Sequence, residues 1–115
     1  MIRFSKFLLL CALVCTSSLG WSQITQVVRG KVVDSETRYP LIGATIAFLS
    51  EGQLVKGTVT DPMGNFRLED IPVGRQEFKV QFVGYKEKKL NNIVVTSAKE
   101  VILNVELEES SQNLE

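Results

Sequence analysis

From Gln26 onward the apolar residues fall mostly on every second position, the spacing of a strand with one face buried and the other in water. In VVRGKVVD, Val28 and Val32 share a face opposite Arg29 and Lys31. LIGATIAFL sets Ile42, Ala44, Ile46 and Phe48 together, LVKGTVT offers Val55 and Val59, and NFRL adds Phe66 and Leu68. EFKVQFVGY alternates Phe78, Val80 and Phe82 inward with Glu77, Lys79 and Gln81 outward. KEVILNVELE does the same with Val101, Leu103, Val105 and Leu107. No stretch of the chain after the first 22 residues carries helix-period patterning.

Turn chemistry separates these runs at Asp34 to Pro40, Ser50 to Gln53, Asp61 to Gly64, Asp70 to Gly74, and Asn91 with Asn92. Pro40, Pro62 and Pro72 fall at strand boundaries, where a missing N–H breaks no ladder. About seven short strands with a turn every dozen residues or so predict an all-β, antiparallel two-sheet sandwich. The phenylalanines after residue 22, namely Phe48, Phe66, Phe78 and Phe82, all lie on inward phases and carry a large share of the expected core. YKEKKLNNI, Tyr85 to Ile93, is more polar. Its lysines Lys86, Lys88 and Lys89 suit a solvated edge strand, with a basic docking patch as the alternative.

The first 22 residues follow another plan. Arg3 and Lys6 precede an apolar run from Phe7 to Cys15, which gives way to small residues ending in Gly20, Trp21 and Ser22. This is the layout of a secretory signal peptide, with cleavage expected between Ser22 and Gln23. The run is far shorter than the roughly 20 residues that span a bilayer as a helix. The expected division is therefore a leader over 1–22, a sandwich over 23–108 and a polar linker or frayed tail over 109–115. The domain is exported to the periplasm or the outer membrane and does not itself span the membrane.

Export changes the chemistry available. Cys11 and Cys15 leave with the leader, so no disulfide framework is expected, and neither cysteine has the small residues before it that lipid attachment favours. Removing Arg3 and Lys6 leaves 11 basic against 13 acidic side chains, a net charge of −2. Such near-balance gives no reason to expect nucleic acid as a partner.

The sequence contains no histidine, and the exported part also lacks cysteine. That excludes serine or cysteine nucleophiles paired with histidine and the usual histidine and thiolate zinc sites. Carboxylate-only chemistry needs two facing acids, but the acids here fall in turns and on polar strand phases, where solvated surface charge is their ordinary role. No glycine cluster precedes a helix, so nucleotide binding has no support. No catalytic, metal-binding or cofactor-binding residue is assigned.

One stretch, TVTDPMGNF from Thr58 to Phe66, invites comparison with a calcium loop. Asp61 stands nearly alone, however, Met63 occupies the next ligand position, and strands flank the segment where an EF-hand has helices. The simpler reading is a hairpin corner: Asp61 accepts backbone N–H groups, Pro62 presets φ, and Gly64 takes the positive φ that closes the reversal.

Taken together, Val28 to Lys86 resembles the carboxypeptidase-like regulatory domain family, a transthyretin-like sandwich. The resemblance rests on Gly30 in the first strand, PLIGATI with Gly43 and Ala44, and GTVTDPMGNF with Thr60, Asp61, Gly64 and Phe66. It continues through IPVG with Gly74 and FVGYK with Gly84 and Tyr85. These are fold signatures, and no peptidase residue can be carried over. In Bacteroidetes-type bacteria, domains similar to this one commonly follow a signal peptide and precede the plug and barrel of a TonB-dependent outer-membrane receptor. The resemblance thus implies a non-catalytic interaction module whose partner is such a receptor or another envelope component. A receptor barrel of about 22 strands of about 10 residues exceeds this chain, which is expected to be a stand-alone module or the front piece of an interrupted gene. Two further roles are open. One is glycan binding, with Tyr39 and Tyr85 as the candidate ligand platforms. The other is strand addition along an exposed edge near Val94.

Overall fold

The computed structural model describes residues 23–110. The leader and the Ser22–Gln23 cleavage point fall on or against residues 1–22, and most of the expected tail falls on 111–115; both stretches lie outside the described residues.

Among the described residues, seven strands form two sheets. β1 (Thr25–Asp34), β4 (Asn65–Pro72) and β7 (Val101–Leu107) make a three-stranded sheet in the order β4-β1-β7. β2 (Thr45–Ser50), β3 (Gln53–Val59), β5 (Gly74–Gln81) and β6 (Lys88–Val95) make a four-stranded sheet in the order β3-β2-β5-β6. The all-β sandwich is as the alternation predicts. All strand pairs are antiparallel except β1 with β7, which run parallel from Val28↔Val101 to Asp34↔Leu107. β7 reaches the first sheet from the second one, and that crossover lets it lie beside β1 in the same direction.

The inner faces meet in one core. Val28 and Val32 of β1, Ile46 and Phe48 of β2, Phe66, Leu68 and Ile71 of β4, Phe78 and Val80 of β5, Val95 of β6, and Val105 and Leu107 of β7 are all buried there. Phe48 and Phe78 sit opposite each other on neighbouring strands, ring centroids 5.6 Å apart and tilted by 39°, the kind of offset contact that aromatic quadrupoles favour.

The structure corrects the predicted phases in four places. Ile42 is 57% exposed, because Gly43 adopts φ +81 and breaks the alternation; β2 therefore starts at Thr45 rather than at Leu41. Val55 and Val59 are about three-fifths exposed. β3 is an edge strand on which Lys56 and Thr58 lie opposite inward Phe48 and Ile46, and Val55 is an extra residue between the Phe48↔Lys56 and Leu49↔Leu54 pairs. Phe82 is only half-buried and follows the end of β5, stacking instead on Tyr85 at 5.4 Å. Asn91 and Asn92 do not make a turn. They form a β-bulge inside β6, where Phe78↔Leu90 and Gln76↔Ile93 leave both asparagines opposite Glu77. Asn92 takes φ 58 there, a left-handed conformation that asparagine tolerates better than most residues.

Two further connections differ from expectation. The Asp61–Gly64 reversal joins β3 to β4, which belong to different sheets, so it is a corner between layers and not a hairpin. The segment from residue 109 is not frayed at its start: Tyr85 pairs with Glu109, and the N–H of Ser110 donates to the Gly84 carbonyl at 2.8 Å.

Candidate functional site

The motif residues gather into three structural joints. The first is the corner. Asp61 Oδ1 accepts from the N–H of Met63 and of Asn65, both at 2.9 Å, and the N–H of Gly64 donates to the Asp61 carbonyl at 2.8 Å. Gly64 has φ +80, and a Cβ there would lie 2.8 Å from both Pro40 and the Val32 carbonyl oxygen, so both its conformation and its space require glycine. One oxygen of the Asp61 carboxylate is thus engaged with backbone amides. Among the described residues no group of three or more histidine, cysteine, aspartate or glutamate side chains could hold a metal ion.

The second joint is Thr60, which is buried. Its hydroxyl donates to the Leu41 carbonyl and accepts from the N–H of Ala44 at 2.9 Å, and the Thr60 N–H donates to the Ala44 carbonyl at 2.9 Å. One side chain thereby satisfies the loop between β1 and β2, whose backbone groups would otherwise be buried without partners.

The third joint links the sheets. Asp34, at the end of β1, is 5% exposed. Its Oδ1 accepts from the N–H of Glu36 and Thr37 at 2.8 and 3.0 Å, and its Oδ2 accepts from the Tyr85 hydroxyl at 2.6 Å. The Tyr85 bond, followed by those two N–H groups, holds the Asp34 carboxyl below its ordinary value. The same bond, with desolvation behind it, pushes the Tyr85 hydroxyl up to about 12. The sequence offered this ring as a candidate ligand platform. The structure instead turns the hydroxyl onto Asp34 and packs the ring beside Phe82 against the core. Tyr39 is 73% exposed and lies in the turn after β1. Gly74 takes positive φ at the start of β5 and Gly84 in the turn that follows it, and at Gly30 the backbone of β7 leaves no room for a Cβ.

The surface is mostly self-neutralised. On the outer face of the three-stranded sheet Arg29 and Arg67 lie directly opposite each other. Glu100 sits 2.6 Å from Arg29 and 3.8 Å from Arg67, and Glu69 is 3.0 Å from Arg67. Arg38 pairs with Glu106. In the lysine-rich segment, Lys86 pairs with Glu108 at 3.6 Å and Lys88 donates to the Glu106 carbonyl at 3.3 Å. These two lysines are therefore tied to β7 and its extension. Exposed pairs of this kind contribute at most about 1 kcal/mol each.

One feature of the surface is not announced by the two-residue period. A polar cleft of about 560 Å³ opens on the outer face of the four-stranded sheet. Leu49 of β2 and Glu51 of the β2–β3 turn line one side, Arg75 and Glu77 of β5 lie along it, and Asn91 and Asn92 of the bulge close the other side. Glu51 and Gly52 have φ 52 and 76 and form the two-residue loop between paired Ser50 and Gln53, the type I′ pattern that prefers Asn-Gly. The only signals in the sequence were a glutamate at that turn and two asparagines where β6 should alternate.

A comparison with curated proteins gave no match. Solved structures share the fold at low identity. A type II cohesin–X-dockerin complex from Acetivibrio cellulolyticus matches with TM-score 0.58 and 22% identity over 71% of this chain and 56% of that one. A putative carbohydrate binding protein from Bacteroides uniformis matches with TM-score 0.59 and 12% identity, over 72% and 41%. The 3-chlorocatechol 1,2-dioxygenase of Rhodococcus opacus matches with TM-score 0.57 and 15% identity, over 77% and 61%. This chain spans less than two thirds of the length of each, and neighbours with such different names illustrate that a sandwich does not fix a function. In sequence, the family model described as CarboxypepD_reg-like domain matches residues 28–115. That span takes in all of the described sandwich but the first three residues of β1, together with the three joints that the motif residues build, and the chain belongs to the CarboxypepD_reg-like domain family.

Proposed function

We propose that this chain is an exported, non-catalytic interaction module that attaches to, or extends, a TonB-dependent outer-membrane uptake system. The observation that carries this reading is the family match over residues 28–115 directly behind a segment with the composition of a secretory leader. The structure is consistent with such a role. The motif residues Thr60, Asp61 and Tyr85 hold backbone and core together. A sandwich of this kind presents loops and sheet faces to a partner.

Cell fractionation combined with reading the gene past the Glu115 codon tests the proposal. The expected result is a chain starting at Gln23 in the periplasmic or outer-membrane fraction, encoded ahead of, in frame with or beside a plug-and-barrel reading frame. A full-length chain retained in the cytoplasm, with no such reading frame nearby, would overturn it.

A further inference from the structure

We propose that the cleft formed by Leu49, Glu51, Arg75, Glu77, Asn91 and Asn92 is a binding subsite for a neutral, hydroxyl-rich saccharide. Its volume of about 560 Å³ lies within the range of small-molecule sites. It exceeds that of the clefts at Lys86–Lys88, Lys56–Thr58 and Val94–Ile102, which measure about 240, 280 and 480 Å³.

Arg75 supplies an independent observation. Among the described residues Arg29, Arg38 and Arg67 are each held in an ion pair. Arg75 alone is not, although Glu51 and Glu77 line the same cleft. The five N–H donors of Arg75 and the carboxylates of Glu51 and Glu77 thus remain available to a guest, with the Asn91 and Asn92 amides at the cleft's side able to donate or accept.

The backbone brings these groups together at two sites of left-handed conformation, Glu51 and Asn92. Without the extra residue at the bulge, β6 would present one side chain opposite Glu77 in place of two.

The class of guest follows from this donor and acceptor set. Arg75, Glu51 and Glu77 sum to a formal charge of −1, which disfavours phosphate, sulfate and polyanions. The floor is the face of a sheet on which β5 pairs with β2 on one side and with β6 on the other. β6 is the outer strand of that sheet, so an extended peptide would pair along its free edge and not across the cleft floor. Vicinal hydroxyls each donate and accept, and so match fixed donors, fixed acceptors and amides side by side. Leu49 offers a small apolar surface to a sugar's C–H groups. No aromatic ring lines the cleft, so affinity is expected in the millimolar range. This inference does not depend on the association with an uptake receptor.

The test is a 15N–1H NMR titration of the chain from Gln23 onward, which contains every described strand and the whole core. The probes are maltohexaose, cellohexaose, xylohexaose and mannohexaose, with dextran sulfate as the charged control. Saturable shifts confined to the amides around Leu49–Glu51, Arg75–Glu77 and Asn91–Asn92 with at least one neutral oligosaccharide are expected. Arg75→Ala and Glu77→Gln, folded by circular dichroism, should each weaken that binding by about tenfold, the equivalent of one charge-assisted hydrogen bond. The inference is overturned if no neutral oligosaccharide shifts these amides, if shifts map to another face, if only dextran sulfate binds, or if both variants bind as the parent does.

Discussion

Replacing Gly30 with alanine should damage the fold far more than a methyl group in a strand normally does. Gly30 lies in β1, opposite Phe66 of β4 on one side and Leu103 of β7 on the other. A Cβ built on it would lie 1.7 Å from the Leu103 carbonyl oxygen and 2.6 Å from its carbonyl carbon. Real contacts of this kind do not fall below 3.0 Å, and the obstacle is backbone, which no rotamer change can relieve. The β1–β7 pair must open by more than about 1 Å, disturbing a central strand whose other edge is held by β4. Overpacking in a well-filled interior costs roughly 1–3 kcal/mol, and the upper end applies because ladder bonds part as well. At about 4–8 °C per kcal/mol for a domain of this size, melting should fall by roughly 15 °C.

The control is Gly57→Ala. Its Cβ would meet only the Ile46 carbonyl oxygen, at 3.5 Å, an ordinary contact, so the smaller entropy of the unfolded chain should leave it neutral or stabilised by up to about 1 kcal/mol. Urea and thermal unfolding followed by far-ultraviolet circular dichroism would measure both, since the chain from Gln23 onward has no tryptophan. A Gly30→Ala variant within about 0.5 kcal/mol of the parent, or a Gly57→Ala variant damaged as much, would refute the reasoning.

Other outcomes follow from the joints. Thr60→Val leaves the Ala44 N–H and the Leu41 carbonyl buried without partners and should destabilise by about 2–3 kcal/mol in urea unfolding. Tyr85→Phe should lower stability at neutral pH and alter the pH profile at both ends. Tyr85 titrates higher folded than unfolded, so its contribution is full below its ordinary value of about 10 and lost as pH rises through about 12. Asp34 is depressed on folding, so its contribution is present above its ordinary value and lost as pH falls through the lower folded one. Unfolding midpoints in the phenylalanine variant should therefore lose the alkaline decline and show a shallower acidic one. Glu51→Asn relaxes a left-handed position and should stabilise by about 1 kcal/mol, while weakening any saccharide binding at the cleft.

How much of this was legible in the chain depends on what each residue obeys. Val28, Phe66, Phe78 and Leu107 follow a two-residue period that two packed sheets impose, so alternation alone located the core. Ile42 and Val59 obey the same local pattern and are exposed. Their phase is set by the φ of Gly43 and by the register of β3 on β2, which puts Lys56 and Thr58 opposite inward Phe48 and Ile46; periodicity encodes neither. Asp61 announced a turn, but nothing near it says whether the two strands it joins share a sheet. The Asp34–Tyr85 bond spans 51 residues and depends on how the layers close. The cleft was hidden for a related reason: Glu51, Arg75 and Asn92 are unremarkable one by one, and only the register of β2, β5 and β6 brings them to one place.

Association with an outer-membrane receptor is most directly measured by chemical crosslinking of intact cells with a lysine-reactive reagent, followed by mass spectrometry of the purified chain. Exposed Lys89, Lys99 and their neighbours should be found joined to peptides of a TonB-dependent receptor. Crosslinks exclusively to cytoplasmic proteins, or to envelope proteins that include no such receptor, would contradict it.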